Sequence, residues 1–354
     1  MMLTLSMASL AAIIQIVVAF FLTGLLVMVA RKDTRWLAGF TFFFGVSFLP
    51  YLFLEQTTEP AHRQMLVWSS WLSMFAVPCL HSYAASVMGR KPAYEWAHFL
   101  VAPLVGAVTY LLIAGGSGAI AGQILRWGVV IQVFAYGCSM LAGVWRYRVQ
   151  LKQTQSNIDD LDLGWLSRLV ALLIALMVAD IGLFPLLELQ GVDHQKAQFY
   201  FNFFSTLYLL WLARGAINQH VLPREEVSVP VPSKADTTGL DADSIKALAD
   251  ELALKMEKDQ LFQKPTLTLG QLADELGLSR HVASEVLNKG HGRTFYDFVN
   301  DHRVEKAKAL LTSTDKTVLE AAFEAGFNNK ASFNRAFKER TGLTPSQYRQ
   351  KIAA

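Results

Sequence analysis

With 354 residues, 53% hydrophobic and only 17% charged, the chain carries fewer charges than the roughly 25% of an ordinary globular domain. A net charge of only +3 says little about partners. Two cysteines, Cys79 and Cys138, both inside apolar runs, exclude a disulfide or metal framework and read as small buried hydrophobes.

Charges are sparse up to about residue 220 and dense beyond about 240, a step that divides the chain into two parts suited to different solvents. The first part opens on SLAAIIQIVVAFFLTGLLVMVARK. No basic residues precede this apolar run; Arg31, Lys32 and Arg35 follow it, so it reads as a membrane span rather than a cleaved secretory signal. A bilayer core needs roughly 20 apolar residues per helix. Seven stretches meet that standard, at about 8–30, 36–54, 65–88, 97–115, 124–145, 165–187 and 199–217.

Lys and Arg in the short turns set the orientation. The turns after the first, third and fifth spans hold Arg31, Lys32 and Arg35; Arg90 and Lys91; and Arg146, Arg148 and Lys152. The intervening turns are poorer, with Arg63, Arg126 and Lys196. This alternation predicts a multi-pass protein of a bacterial cytoplasmic (inner) membrane, N-terminus outside and C-terminus in the cytoplasm. Trp36, Tyr94, Trp96, Trp145 and Trp165 lie near span ends, as an interfacial belt would.

Ionisable residues within spans are functional suspects. His81 and Asp180 are the two deep ones, and a rise of about 1.5 Å per residue places them on opposite sides of the midplane. Asp180 is better matched in depth to Arg126, with Glu55 and Glu188 also near the outer edge. Pro50, Pro78, Pro103 and Pro185 can kink four spans. These features predict an outward-facing polar pocket for an unknown small-molecule or membrane signal, built on Asp180, Arg126 and Glu55; a structural ion pair between spans is the alternative. His81 is expected to bond a neighbouring span rather than a metal.

Residues 221–240, VLPREEVSVPVPSKADTTGL, form a Pro-rich linker between a domain at 1–220 and a soluble helical one at 241–354. Ile245, Leu248, Leu252 and Met256 make one stripe of an amphipathic helix. Thr268 with Gln271 forms a capping-box pattern, Gly277 supplies a turn, and Ser279 caps the next helix, a helix-turn-helix unit over about 268–289. A connecting helix at about 294–311 turns Phe295, Phe298, Val299, His302, Val304 and Leu310 inward. The same plan recurs at about 317–341: a short Ala-rich helix, Gly326 at the turn, and a second helix with Phe333 and Phe337 four apart. Gly342 stops that helix, and Thr344 with Pro345 starts a last one.

The skeleton GF…SF.R.FK…G.TP..YR, within AAFEAGFNNKASFNRAFKERTGLTPSQYR, and the stretch LTLGQLADELGLSRHVASEVLNK resemble the AraC/XylS-type DNA-binding domain. The resemblance covers about the last third of the chain. It implies two helix-turn-helix units that insert recognition helices into successive major grooves of double-stranded DNA; with the seven spans before it, the expectation is an all-α protein, a seven-helix transmembrane bundle followed by this domain. Outward, early positions of such helices reach base edges. They are Arg280, His281, Ser284 and Asn288 in the first unit, and Asn329, Lys330, Ser332, Asn334 and Arg335 in the second, with Lys338 on phosphate. Where the family often has arginine this chain has Glu285, which cannot hold a phosphate but can accept from cytosine N4. From residue 326 onward, Lys330, Arg335, Lys338, Arg340, Arg349 and Lys351 face only Glu339, so most sequence-independent affinity is expected from the second unit.

The sequence contains no catalytic triad, phosphate loop, metal cluster or paired-carboxylate motif, so neither enzyme activity nor a cofactor is expected. The reading is a membrane-embedded one-component transcription regulator that works as a monomer or a homodimer. Its rival is a multi-span transporter or receptor whose C-terminal helices form a protein-interaction module.

Overall fold

Backbone groups with no water at hand must pair with one another, and a helix does so within a single segment. The computed structural model follows that rule. It describes residues 6–29, 32–54, 68, 70–90, 96–159, 161–183, 186, 189–219 and 239–353. They are helical with short turns, and the only β pairing among them is an isolated antiparallel bridge between Gln155 and Thr268. Glu55, Glu188, Pro185 and the linker residues 221–238 lie outside the described residues.

The chain divides into two units. The first takes Met1–Trp145 and Leu163–Val221, the second Arg146–Asp162 and Leu222–Ala354. In the first, α1 is Met7–Met28, α2 Lys32–Val46, α3 Leu49–Leu54, and a 3-10 turn at Ser70–Phe75 leads into α4, Ala76–Val87. Then come α5, Ala97–Ala114; α6, Gly118–Thr154; α7, Gly164–Val178, extended by a π turn at Ala179–Leu183; and α8, His194–Ile217. The last residues of α6, from Arg146, belong to the second unit.

Helix α1 packs against α2 and α8, and α2 against α4. Polar side chains tie these helices at few points. Thr23 and Thr41 share a 2.8 Å hydroxyl hydrogen bond between α1 and α2, and Asn202 of α8 donates to the Ala8 carbonyl at 3.3 Å. The Trp165 ring of α7 lies on Gly215 of α8, where an added Cβ would fall 2.2 Å from the ring, and its Nε1 donates to Gln219 Oε1 at 2.6 Å.

Among the described residues, four helical segments are long and apolar enough to cross a membrane: Met7–Met28, Ala97–Ala114, Gly118–Thr154 and Gly164–Leu183. The stretches expected at 36–54, 65–88 and 199–217 are helical where described but do not meet the same combination of length and hydropathy. In α4 the reason is visible: the stretch breaks at the 3-10 turn Ser70–Phe75, which leaves a helix of only 12 residues. Cys79 is buried as expected, whereas Cys138 is exposed on its helix, because α6 turns one face away from its neighbours.

In the second unit, α9 is Ala242–Lys258, α10 Leu269–Asp274, α11 Arg280–Val286 with a π turn at Leu287–His291, and α12 Phe295–Ser313. Helix α13 is Val318–Glu324, α14 Lys330–Thr341 and α15 Pro345–Ala353. Side-chain caps start most of them. Thr268 with Gln271 and Thr317 with Glu320 are complete capping boxes, each stabilising its helix by about 1 kcal/mol. Two hydrophobic cores result. One joins Leu252, Met256, Phe262, Leu272, Ala283 and Val286; the other joins Ala321, Ala322, Phe327, Phe333 and Phe337. Helix α12 serves both, giving Phe295, Phe298 and Val299 to the first and Val304, Ala307, Leu310 and Leu311 to the second.

Arg303, on α12 between its two sets of core residues, is 1% exposed. Its Nε donates to the Phe262 carbonyl at 2.7 Å and its Nη2 to the Lys264 carbonyl at 2.8 Å. Nη1 reaches the Ser156 carbonyl at 3.1 Å and Nη2 the Ser156 hydroxyl at 3.2 Å. The Phe327 ring lies 5.7 Å from the guanidinium carbon. Burial pulls its pKa down to about 10, which leaves it charged at neutral pH.

Gly326, the turn between α13 and α14, has φ of +97°, and a Cβ there would stand 2.4 Å from the Phe262 carbonyl oxygen. Gly326→Ala combines left-handed strain with that overlap and is expected to cost the second unit ~2–4 kcal/mol. A denaturant midpoint equal to wild type would contradict this.

His302 packs between Phe262 and Phe298, and burial pushes its pKa below the ordinary value, against the pull of Glu257 and Asp301. A lowered folded-state pKa means that stability is full above about pH 6.5, the unfolded value, and declines as pH falls toward the folded one. The melting temperature of the second unit is therefore expected to drop between pH 7.5 and 5.5, and His302→Gln to flatten the drop. An unchanged pH slope in that variant would assign it to other groups.

Candidate nucleic-acid interface

Each helix pair of the second unit brings the start of its second helix to the surface. In the first pair, Gly277 at φ +63° makes the turn, and the Ser279 hydroxyl accepts from Val282 N, fixing the start of α11. In the second, Asn329 caps α14, its side-chain oxygen accepting from Ser332 N at 2.8 Å.

The expected DNA-reading residues fall into three groups. Arg280, Lys330, Arg335 and Lys338 are exposed. His281, Asn288, Asn329 and Asn334 are half-buried. Ser284 and Ser332, expected to face outward, are buried, at 4% and 7% exposure. Ser332 stands one turn before Ala336, which is wholly buried, so the helix phase turns it inward. Ser284 is covered by Asn288, whose amide nitrogen folds back onto the Ser284 carbonyl at 2.8 Å.

Glu285 is also buried, 4% exposed, and its carboxylate takes the Lys289 ammonium at 2.6 Å. Two of the six bases beyond residue 326 hold the fold: Arg340 donates to Asp301 at 2.5 Å, and Arg349 to the Lys316 carbonyl. The cationic surface of the second pair therefore rests on the other four: Lys330, Arg335 and Lys338 on α14 and Lys351 on α15.

The sequence reading missed a segment that lies among these residues. Residues 146–162 come between α6 and α7 in the chain yet belong to the second unit. The Asp159 carboxylate forms an ion pair with Arg335 and accepts from Asn329 Nδ2 at 3.4 Å. Gln153 Oε1 accepts from Asn288 Nδ2 at 3.1 Å, and the Lys152 ammonium stands 5.5 Å from the Tyr296 ring centre. The available signal was the acidic run NIDDLD at 157–162, opposite in sign to α14.

In the first unit, Arg126 donates to the Ile181 carbonyl at 3.4 Å, which brings it beside the turn that carries Asp180; both side chains are exposed. Glu55, the third residue expected there, lies outside the described residues. His81 bonds the Ser139 hydroxyl of α6 at 3.3 Å, and its ring lies 5.5 Å from that of His98, which bonds Tyr136 at 2.7 Å. That pairing of histidines was not legible from their spacing. Among the described residues, no group of three or more His, Cys, Asp or Glu is placed to hold a metal ion.

Residues 272–351 match a family model described as a helix-turn-helix domain. An uncharacterized HTH-type transcriptional regulator of Staphylococcus aureus (strain COL) is 34% identical over 121 residues, 34% of this chain and 15% of that one. The HTH-type transcriptional regulator YtdP of Bacillus subtilis is 34% identical over 85 residues, 24% of this chain and 11% of its own. The chain thus spans a small fraction of the length of the curated relatives it matches. Similar solved structures include the C-terminal domain of AraT, a response regulator from Geobacillus stearothermophilus, at 29% identity, 30% of this chain, 87% of that one and TM-score 0.28. The C-terminal domain of the response regulator yesN from Fusobacterium nucleatum is 33% identical over 29% of this chain and 98% of that one, with TM-score 0.27. Residues 272–351 form a helix-turn-helix domain. It is of the AraC type, a class of transcription-regulating, DNA-binding domains and not of enzymes.

Proposed function

We propose that the chain is a one-component transcription regulator, held in a bacterial cytoplasmic membrane by its first unit and binding promoter DNA with its second. The observation that carries this reading is the presence, in one chain, of an AraC-type helix-turn-helix domain and four helical segments long and apolar enough to cross a bilayer. The three further helical stretches of the first unit complete seven crossings. Seven crossings with the alternating Lys and Arg turns leave the second unit in the cytoplasm, where DNA is.

Arg280, His281, Asn288, Asn329, Lys330, Asn334 and Arg335 are the proposed base-reading residues, with Lys338 on the phosphate backbone. Ser284 and Ser332 join them only after a local rearrangement, since both are buried. Asp180 and Arg126, with Glu55, are the proposed start of a site for a small-molecule or membrane signal. Their support is the Arg126 hydrogen bond to the carbonyl beside Asp180.

Duplex affinity of the full chain in phospholipid nanodiscs, measured on a pool of random 30-base-pair duplexes over a salt series, tests the DNA reading. Each of Lys330→Ala and Lys338→Ala is expected to weaken binding and to reduce the slope of log affinity against log salt by about 1. An unchanged slope in both would remove these lysines from the interface.

A further inference from the structure

We propose that residues 146–162 are a built-in mask over the DNA-reading faces of both helix-turn-helix pairs, so that this segment and duplex DNA compete for the same side chains. The inference rests on the DNA-binding reading above.

The segment is shaped and anchored for the purpose. Arg148 closes its ends by donating from Nε and Nη2 to both carboxylate oxygens of Asp162, each at 2.5 Å. Its middle is fixed to the unit. Gln155 pairs with Thr268, Ser156 N and Oγ both donate to the Leu267 carbonyl, at 3.3 and 2.7 Å, and Ser156 takes two donors from buried Arg303.

From that anchor the segment reaches both recognition helices. Gln153 takes the Asn288 amide on the π turn that ends α11. Asp159 takes Arg335 and Asn329 of α14, its two oxygens on separate donors. A carboxylate seated between an arginine and the capping residue of a helix N-terminus occupies the position a backbone phosphate would seek. Arg335 cannot give that nitrogen to Asp159 and to DNA at once, and Asn288 is held in the same way.

The mask is also placed to be moved. Both its ends run on into helices of the first unit, α6 before it and α7 after it. A change in the separation or rotation of those two helices acts on the mask directly, with no linker between. A signal received by the first unit would then lift the mask from the second.

The test uses the full chain in phospholipid nanodiscs and the random-duplex pool. A release variant carrying Asp159→Ala and Gln153→Ala is expected to bind duplex at least fivefold more tightly than wild type. A second measurement needs no substitution: saturating duplex should speed trypsin cleavage of the wild type at Lys152 several-fold. Equal or weaker binding by a folded release variant, or cleavage at Lys152 that duplex slows or leaves alone, overturns the mask while the DNA reading stands. If neither wild type nor release variant binds any duplex, the DNA reading itself fails and the mask falls with it.

Discussion

The second unit depends on one buried charge. Removing a guanidinium from water costs several kcal/mol unless its donors are met, and among the described residues no carboxylate meets those of Arg303. Main-chain carbonyls and a hydroxyl do so instead, which makes the arginine a sensor of backbone placement. Phe262 and Lys264 bring in the turn after α9, Ser156 brings in the segment 146–162, and the Phe327 ring brings in the second core. Three stretches far apart in the chain are thereby required to be in register before the charge is satisfied. A shift in either of the first two strands a donor in a nearly dry site, and a shift of the third removes the ring that faces the charge.

That arrangement clarifies the division of labour along α14. Its inner face holds Phe333, Ala336 and Phe337, all fully buried. Arg340, in its last turn, is spent on Asp301 and the Asp297 carbonyl, locking α14 to the start of α12. On its outer face Lys330, Arg335 and Lys338 are exposed. The exposed cationic face of the helix is thus opposite, within the same twelve residues, to the face that carries the fold.

The local grammar of the second unit was legible because it is short-range. Thr268 with Gln271, Gly277 before Ser279, and Phe333 with Phe337 are patterns of three or four residues, and each is realised as a cap, a turn or a core pair. The first unit was legible as helices but less so in their lengths: apolar composition does not fix where a helix begins, and the stretch 65–88 holds a 3-10 turn, Ser70–Phe75, followed by a helix of only 12 residues. What the sequence concealed was pairing at a distance. Asp159 and Arg335 are 176 residues apart, Gln153 and Asn288 are 135 apart, and no periodicity links such polar pairs. The burial of Ser332 was hidden for a different reason: a serine on the border of a helix face is compatible with either side, and the phase set by Ala336 decides it.

The second unit is assembled from pieces that are not neighbours in the chain, and this has a consequence for its birth. Asp159 leaves the ribosome 176 residues before Arg335. At ordinary synthesis rates of ~5–20 residues per second, the segment waits roughly 10–35 s for the helix it will meet. During that interval α7 and α8 are made, and the polar segment must stay accessible rather than be drawn into the apolar helices on either side. Its run of acidic side chains keeps it in water until the rest of its domain arrives. For the same reason, a piece of the chain starting at residue 240 lacks the loop that supplies two of the acceptors of Arg303, and is not the domain that the whole chain builds.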